Sequence, residues 1–390
     1  MIRDPDRMAE LVATIRQFVR QRWLPVEAEV EAADAIPETI VDELRRMGFF
    51  GWSIPETFGG LGLTSEELVL AAFELSHCSV ALRARVGTNT GIGSEALIAD
   101  GTEEQKARWL PLLASGEWTS CLALTEAEAG SDATNVQTAA QRDGADYVLN
   151  GTKAFITNAP IADLFTVIAR TDPLRQGASG LSAFLVERGT PGLSTGAPYR
   201  KMGQAGSPVS EVYVQNCRIP DRHLLGGIEG MGFRSVMKAL NKQRMHLAAL
   251  CTGPAARMLD MALDHVQSRR QFGQAVASFQ LVQALIADCR TEIFAARSMI
   301  LETARKRDRG EDVALDASMC KYFASEAAGR IADRCVQMFG GSGYVADYSA
   351  IERYYRDVRL FRLYEGTSQI HQLNIAKLTL RDHEAKPPAP

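Results

Sequence analysis

Apolar residues recur at two different spacings along the chain, and the changes between them divide the sequence into three parts. Up to about residue 115 the spacing is helical, as where Leu11, Ile15 and Val19 recur every four positions. From Glu117 onward, short apolar runs are separated by Gly, Asp and Asn turns, which is typical of a small antiparallel β-domain. These runs cover residues 121–124, 147–149, 164–169, 183–186 and 212–214. From Met231 the helical spacing returns over longer segments.

Local signals mark several helix boundaries in the first part. Pro37 stands at an early position of a predicted helix, and the glycine-rich loop 51–62 ends just before Thr64 opens the next one. Thr102 is followed three residues later by Gln105, which is a capping-box pattern that satisfies free backbone N–H groups at a helix start.

The third part has the pattern of a helix bundle. Three segments are each long enough for a helix of ~45 Å at ~1.5 Å per residue, namely 229–268, 277–308 and 312–339. In the second segment an apolar stripe runs from Leu281 to Ile300 at steps of three and four residues. Pro254 should kink the first segment.

Length and composition suit two or three globular domains, with 390 residues of which 46% are apolar and 23% charged. We expect a helical domain at 1–118, a β-domain at 119–228 and a helix bundle at 229–382. The tail at 383–390 has three prolines and no apolar residue except Ala, so disorder is predicted there.

Charge and cysteine usage exclude several classes of function. A net charge of −4 argues against nucleic-acid binding, which needs an excess of clustered Lys and Arg. No apolar run approaches the ~18 residues of a membrane span, and the first twenty residues resemble no signal peptide, so a cytoplasmic protein with no membrane contact is expected. The seven cysteines show no metal-ligand or disulfide spacing, so no metal site is predicted.

The clearest candidate chemistry lies between residues 337 and 371. Gly340, Gly341 and Gly343 follow an apolar helical pattern, where missing side chains permit close approach of a flat or phosphorylated ligand. Further on, Glu365 is an isolated carboxylate between Tyr364 and Gly366, just before a helix that Thr367 or Ser368 can cap. A carboxylate in this position is a candidate base.

Two weaker motifs in the β-domain, and a third between two helices of the bundle, each have a plain structural alternative. Residues 125–132 combine hydroxyls, a glycine and a carboxylate that suit a polar cofactor edge, or form an ordinary turn. Phe155 and Thr157 point the same way on a strand, or Phe155 packs inward. Arg269 and Arg270 contact phosphate or simply compensate a helix dipole. Neither a dinucleotide-binding glycine fingerprint nor a P-loop is present.

The order of these motifs resembles the acyl-CoA dehydrogenase family. TEAEAGSD, KAFITN, RRQFG, QMFGGSGY and YEGTSQI follow one another as in that family, and the resemblance covers roughly residues 8–380. It implies FAD as cofactor and a fold of helical N-domain, β-barrel middle domain and C-terminal four-helix bundle. It also implies a homotetramer built as a dimer of dimers, and transfer of electrons to an electron-transfer flavoprotein.

The resemblance also assigns cofactor-binding residues. Residues along the strand and loop 122–131 are expected beside the flavin, namely Leu122, Leu124, Thr125 and Ser131. Phe155 and Thr157 match the pair that covers the flavin ring, although the family often has Trp at the first of these. Positions that hold the pyrophosphate and adenosine across a subunit interface are matched by Arg269, Phe272, Gln280, Gln337, Gly340 and Gly341, and further FAD contacts by Thr367 and Gln369.

In the same way, Glu365 matches the catalytic base. Some members carry the base on a bundle helix at the position of Gln243, whose amide cannot act as one. Substrate contacts are implied for Asn241 and Arg244 along the CoA chain, for Ser131 near phosphates, and for Tyr364 and Gly366 beside the base. The reaction implied is α,β-dehydrogenation of an acyl-CoA to the trans-2-enoyl thioester.

Arg83 bears on the acyl group. It matches the position where glutaryl-CoA dehydrogenase-like members bind a distal carboxylate, which implies a short dicarboxylyl-CoA such as glutaryl-CoA. The alternative is an Arg that is exposed or paired with a helical Glu. A desulfinase-like branch has a similar Arg with Gln at the position of Gln243 but lacks the base. Because Glu365 is present in this chain, dehydrogenation is the first hypothesis. A desulfinase or an enzyme acting on carrier-protein thioesters is the second.

Overall fold

The computed structural model describes residues 1–384, apart from the side chain of Asn241. The first unit is helical, and its helices are α1 (Pro5–Phe18), α2 (Glu27–Ala33), α3 (Glu38–Arg46), α4 (Ser65–Leu75), α5 (Val80–Gly87), α6 (Glu95–Asp100) and α7 (Glu103–Ser115). The predicted capping box at Thr102 is confirmed, and Thr64 forms another with Glu67. Aromatic side chains such as Trp23, Phe49 and Phe50 fill the core between these helices.

The second unit is a seven-stranded sheet with strands β1 (Ser120–Ala123), β2 (Ala139–Asp143), β3 (Asp146–Thr157), β4 (Leu164–Arg170), β5 (Leu181–Glu187), β6 (Leu193–Thr195) and β7 (Val209–Pro220). The prediction of a purely antiparallel domain is wrong, because β1 and β2 both run parallel to β4. Long crossover connections between these strands permit the parallel pairing, and a sequence pattern does not reveal them. The other pairs are antiparallel.

The sheet curls so that β3 approaches the end of β1, where the Ala154 N–H donates to the Thr125 carbonyl at 2.9 Å. Inside the curl, Phe165 and Phe184 belong to one apolar core. The outer face of β4 and β5 packs against Trp109 of α7 and Val236 of the bundle. Burial on both faces explains why these two strands have continuous apolar runs rather than alternation.

The third unit contains α8 (Gly232–Ser268), a hairpin of β8 (Arg270–Gln271) and β9 (Gln274–Ala275), α9 (Gln280–Asp308), α10 (Ala314–Phe339), α11 (Gly341–Tyr344), α12 (Ile351–Val358) and α13 (Ser368–Glu384). α10 packs against α8, α9 and α13, which gives the predicted bundle. The three long segments are confirmed, and α8 is continuous through Pro254. Residues 383 and 384 belong to α13 rather than to a disordered tail, and the rest of the predicted tail lies outside the described residues.

None of the helices in residues 1–384 combines the length and hydropathy that crossing a membrane requires. The same residues bring no three His, Cys, Asp or Glu side chains together as a metal ion would require. All seven cysteines are buried free thiols.

Candidate active site

Glu365 sits in a strained turn between the end of α12 and the start of α13. Its φ of 53° lies in the left-handed region, and Gly366 follows at 94°. Such a conformation costs about 1–3 kcal/mol for a residue with a side chain, so its surroundings must hold it. The buried Lys321 ammonium of α10 donates to the Gly366 carbonyl at 2.6 Å, and His371 Nε2 lies 3.2 Å from the Glu365 carbonyl oxygen.

Thr367 caps the helix that follows this turn. Its hydroxyl accepts a hydrogen bond from the Ile370 N–H at 3.3 Å. Of the two residues predicted as caps, Thr367 is therefore the one that caps the helix. The Ser368 hydroxyl instead donates to Glu326 on α10. Glu365 is therefore positioned by contacts from two bundle helices, and Gln369 on the next turn is exposed.

The carboxyl group of Glu365 lies among cations that do not neutralise it by direct contact. Its Oε2 is buried and has no hydrogen-bond partner within residues 1–384. Burial raises the pKa of Glu365, while Arg83, Lys321 and Arg244 act in the opposite direction. A raised carboxyl pKa is what a base working near neutral pH needs.

Arg83 projects from α5 toward the same cluster. Arg83 is only 7% exposed, and within residues 1–384 its Nε and Nη2 are buried without hydrogen-bond partners and no carboxylate forms an ion pair with it. Its guanidinium lies against Gly87, where an added Cβ would be 2.5 Å from Nη1. Neither alternative for Arg83, exposure or pairing with a helical Glu, describes this environment. A buried cation with free donors instead suits an anionic ligand group.

Gln243 and His246 line the same region from α8. An added Cβ at Gly91 would be 2.5 Å from the Gln243 Oε1, and His246 Nδ1 lies 3.4 Å from that oxygen. Burial, with Arg83 and Lys242, lowers the pKa of His246 to about 3, so the ring is neutral. Sequence reasoning missed His246, because nothing in the local pattern distinguishes it from a core histidine.

Arg244, Asn241 and Tyr364 were predicted to contact substrate. Arg244 is buried on α8 and interacts electrostatically with Glu365, while the Asn241 side chain is outside the described part of the structure. The Tyr364 ring stacks on Phe361, with centroids 6.2 Å apart, and Tyr364 directly precedes Glu365.

The predicted flavin residues lie on the curled sheet. Phe155 has a φ of 59° at an irregularity in the β3–β7 pairing, and its ring is 67% exposed beside Tyr199. The alternative in which Phe155 packs inward is therefore wrong. Thr157 on the same strand, with Leu122 and Thr125 on and after β1, is half-buried. Leu124 is buried, and Ser131 is exposed on the loop after Gly130.

A buried ion pair behind these residues was missed by sequence reasoning. Lys153 Nζ lies 2.7 Å from Glu126 Oε1 and 3.2 Å from the Leu124 carbonyl oxygen. The Glu126 carboxylate also accepts the backbone N–H groups of Gln137 and Thr138. The pair therefore joins β3 to the loop that holds Thr125 and Ser131.

The remaining predicted cofactor residues gather at one end of the bundle. His265 near the end of α8 stacks on Phe339 at the end of α10, with ring centroids 4.3 Å apart. Every predicted residue here is exposed, namely Arg269, Phe272, Gln280, Gln337, Gly340 and Gly341. Along α10, Lys321 and Gln337 are separated by roughly 24 Å at ~1.5 Å per residue. These residues and Glu365 therefore occupy different regions of the molecule.

Family models match most of the chain as three domains of one protein family. The acyl-CoA dehydrogenase N-terminal domain matches residues 5–117, the middle domain residues 121–217 and the C-terminal domain residues 230–380. An acyl-CoA dehydrogenase of Bacillus subtilis is 38% identical over 94% of this chain and 96% of its own. The caffeyl-CoA reductase-Etf complex subunit CarC of Acetobacterium woodii is 36% identical over 90% of this chain and 92% of its own.

Among solved structures, butyryl-CoA dehydrogenase from Megasphaera elsdenii superposes with a TM-score of 0.93 at 31% identity, covering 98% of this chain and all of that one. The chain belongs to the acyl-CoA dehydrogenase family, whose members are FAD-dependent flavoprotein oxidoreductases that dehydrogenate or reduce acyl-CoA thioesters.

The residues present fit FAD. Phe155 offers an exposed aromatic face for a flat ring system, and Thr125 and Thr157 supply hydroxyls near it. No atom lies within 4 Å of an added Cβ at Gly130, Gly340 or Gly341, so these backbones are open to close approach by phosphate groups.

Proposed function

We propose that this enzyme removes the α- and β-hydrogens of an acyl-CoA thioester, with Glu365 as the base and FAD as the electron acceptor. One observation carries the assignment: Glu365 lies in a strained turn with a raised pKa and three cations around it, and its buried Oε2 has no hydrogen-bond partner among the described residues. A structural carboxylate would be paired, whereas this one is available to a substrate.

Glu365 takes the α-proton, and the electrons of that C–H bond form an enolate on the thioester. Within residues 1–384 no acceptor takes up the Glu365 backbone N–H, which leaves it free to donate to the thioester oxygen where the negative charge develops. Phe155, Thr125 and Thr157 would hold FAD, which would supply the acceptor for the β-hydrogen and its electron pair. Breaking the two C–H bonds leaves a trans-2-enoyl thioester, a reduced flavin and a protonated Glu365.

Replacing Glu365 by Gln tests this assignment. Because the amide keeps the shape but cannot take a proton, Glu365→Gln should slow flavin reduction by acyl-CoA about 10²–10⁴-fold, measured as bleaching of the flavin absorbance without oxygen. The variant should retain FAD, as its visible spectrum will show. Full turnover by Glu365→Gln would refute the proposal.

Arg83 supports a substrate with a distal anion, such as glutaryl-CoA or another short dicarboxylyl-CoA. Arg83→Ala should weaken binding of glutaryl-CoA and succinyl-CoA more than binding of butyryl-CoA, by about tenfold or more, because only the first two have a carboxylate to pair. Arg85→Ala is the matched control, since Arg85 is buried on the same helix but donates to Thr119 and stacks on Phe50. Equal losses for all three thioesters in Arg83→Ala would discard the distal-anion idea.

The second hypothesis is a desulfinase or an enzyme acting on carrier-protein thioesters. It is favoured by the presence of both Arg83 and Gln243 in this chain. It would gain support if CoA thioesters bound without bleaching the flavin.

The name of the Acetobacterium woodii relative supports an electron-transfer flavoprotein as redox partner. The cross-subunit positions at the bundle end support a homotetramer built as a dimer of dimers.

A further inference from the structure

A loop of the middle domain is wedged between the other two domains. This wedge loop, residues 201–206, follows β6 and precedes β7. On one side the Gly206 N–H donates to Asp34 Oδ1 at 2.7 Å. On the other side Arg356 of α12 donates to the Met202 carbonyl at 2.9 Å. An added Cβ at Gly203 would be 2.7 Å from the α12 backbone, so loop and helix are in direct contact.

Asp357 holds the centre of this loop. Its carboxylate accepts the Gln204 backbone N–H, and Gln204 Nε2 donates to the Asp357 carbonyl at 3.1 Å. Both residues are buried. Gln204 has a φ of 58°, a conformation that a residue with a side chain keeps only when its surroundings enforce it. The two hydrogen bonds from Gln204 to Asp357 supply that enforcement.

Gln204 in turn reaches the residue before the base. Its side chain interacts with the Tyr364 hydroxyl and counters the rise in the pKa of Tyr364 that burial causes. Tyr364 and Glu365 are neighbours in the same strained turn. Asp357 is therefore hydrogen-bonded to Gln204, and Gln204 lies beside Tyr364, the residue that precedes Glu365.

We propose that Asp357 is a positioning residue for the base, acting through Gln204 to fix Tyr364 and so the orientation of the Glu365 carboxylate. The inference rests on the proposed function, since it takes Glu365 as the base. It assigns the wedge loop a role in catalysis that extends beyond joining domains.

The ionisation of Asp357 makes this positioning depend on pH. The charged and titratable groups around it come from all three domains: Glu27, Glu31, Asp34, Cys78, Lys201, Arg353 and Arg356. Burial raises the pKa of Asp357 to about 7, and Glu31 adds to the rise, while the Gln204 N–H and Arg353 oppose it. Above that pH the carboxylate is ionised and holds the Gln204 N–H most strongly. As pH falls through about 7, protonation weakens this hold.

Stopped-flow flavin reduction by butyryl-CoA and glutaryl-CoA between pH 5.5 and 9 tests the inference. Gln204→Gly keeps the positive φ without strain and removes only the side chain. Gln204→Gly and Asp357→Asn should each lower the limiting rate about tenfold, with apparent affinity within about twofold and unchanged FAD content, because misplacement of the base affects the chemical step. Asp357→Asn should also lose the ionisation near pH 7 from the rate profile.

Two neighbouring carboxylates provide controls. Glu31→Gln removes a negative charge that raises the pKa of Asp357, so the fall in rate should move to lower pH with the plateau unchanged. Glu352 pairs with Arg356 on the same helix, and Glu352→Gln should match the wild-type profile. A purely structural role for Asp357 would not produce the Glu31→Gln shift.

Wild-type rates and pH profiles in both Gln204→Gly and Asp357→Asn would overturn the inference. If Asp357→Asn fails to fold, the limiting rate and pH profile of Gln204→Gly alone test the inference. A wild-type enzyme whose flavin neither thioester bleaches would overturn the proposed function and this inference together, whereas bleaching that is equal in all variants would overturn only the inference.

Discussion

At the scale of single residues, Lys321 of α10 holds the turn that contains Glu365, the proposed base. It is a cation with no exposed surface, and its ammonium donates to the carbonyl directly after Glu365. It also favours the ionised form of Glu365, against the effect of burial. Lys321 thus stabilises both the strained turn and the charge that the base needs.

Lys321→Met should therefore raise the pKa of Glu365 further. Because only ionised Glu365 takes a proton, the acid limb of the pH profile of kcat/KM should move to higher pH, and activity should fall several-fold more at pH 6 than at pH 9. Lys321→Arg retains the charge and should shift the limb less. Lys377→Met is the matched control, because Lys377 is exposed on α13. A pH profile of Lys321→Met identical to that of the wild type would contradict the expectation.

At the scale of elements, β3 connects the flavin positions to the helix that bears Arg83. Phe155 and Thr157 lie near its end, and the next residue, Asn158, has a φ of 61°. The Asn158 amide donates to the Ala84 carbonyl at 2.9 Å and to the Thr88 hydroxyl at 3.0 Å, on and just after α5. Lys153 anchors the same strand from behind through Glu126. Buried hydrogen bonds therefore hold the irregular backbone at the end of β3.

Lys153→Met should destabilise this element, because it leaves the Glu126 carboxylate buried without its cation. We expect the free energy of unfolding in urea to fall by about 3–5 kcal/mol, together with weaker FAD retention. Adding Glu126→Gln should restore part of the loss, since the uncompensated charge is then gone.

Arg218 supplies the comparison for that experiment. It pairs with Asp143 and Asp146 at the solvent-exposed edge of the same sheet, so Arg218→Met should change the free energy of unfolding far less than Lys153→Met. Equal losses for Lys153→Met and Arg218→Met would show that the buried pair has no special role.

At the scale of the whole molecule, the proposed site draws on residues of all three domains. The N-terminal domain carries Arg83, which acts electrostatically on Glu365 of the bundle, and the sheet carries the predicted flavin positions Phe155 and Thr157. The opposite end of the bundle exposes large apolar side chains, among them Phe272 at 93% and Leu281 at 84%. Exposed apolar groups of this size beside predicted cofactor positions favour contact with another subunit.

Light scattering should therefore give a mass of about 170 kDa, which corresponds to four chains of 42.6 kDa. Phe272→Ser should lower both the mass and the FAD content, because the exposed ring would be lost from a subunit contact and from a cofactor contact at once. Leu174 is equally exposed, at 93%, but lies in the middle domain, so Leu174→Ser should change neither. A monomeric wild-type protein with full FAD would contradict the tetramer.

Much of the fold was predictable because its signals are local. The capping box at Thr102, the apolar stripe of α9 and the turn chemistry around Glu365 each depend on residues a few positions apart. The parallel pairing of β1 with β4 was not predictable, since Ser120 and Leu164 become neighbours only through a long connection. Local pattern also gave no sign of Lys153 or Lys321, which look like ordinary surface lysines in the sequence.

The sequence by itself determined the order of the three domains, the family and the isolated carboxylate at Glu365, because periodicity and motif order survive without any knowledge of contacts. Only the tertiary structure decided that Arg83 is buried with no partner for its Nε and Nη2 among the described residues, that Lys321 reaches the turn of Glu365, and that Asp357 holds Gln204 across a domain junction. Each of these depends on burial and on partners distant in the chain. Burial and these distant partners raise or lower the pKa of Glu365, and the residues adjacent to Glu365 in the sequence encode neither of them.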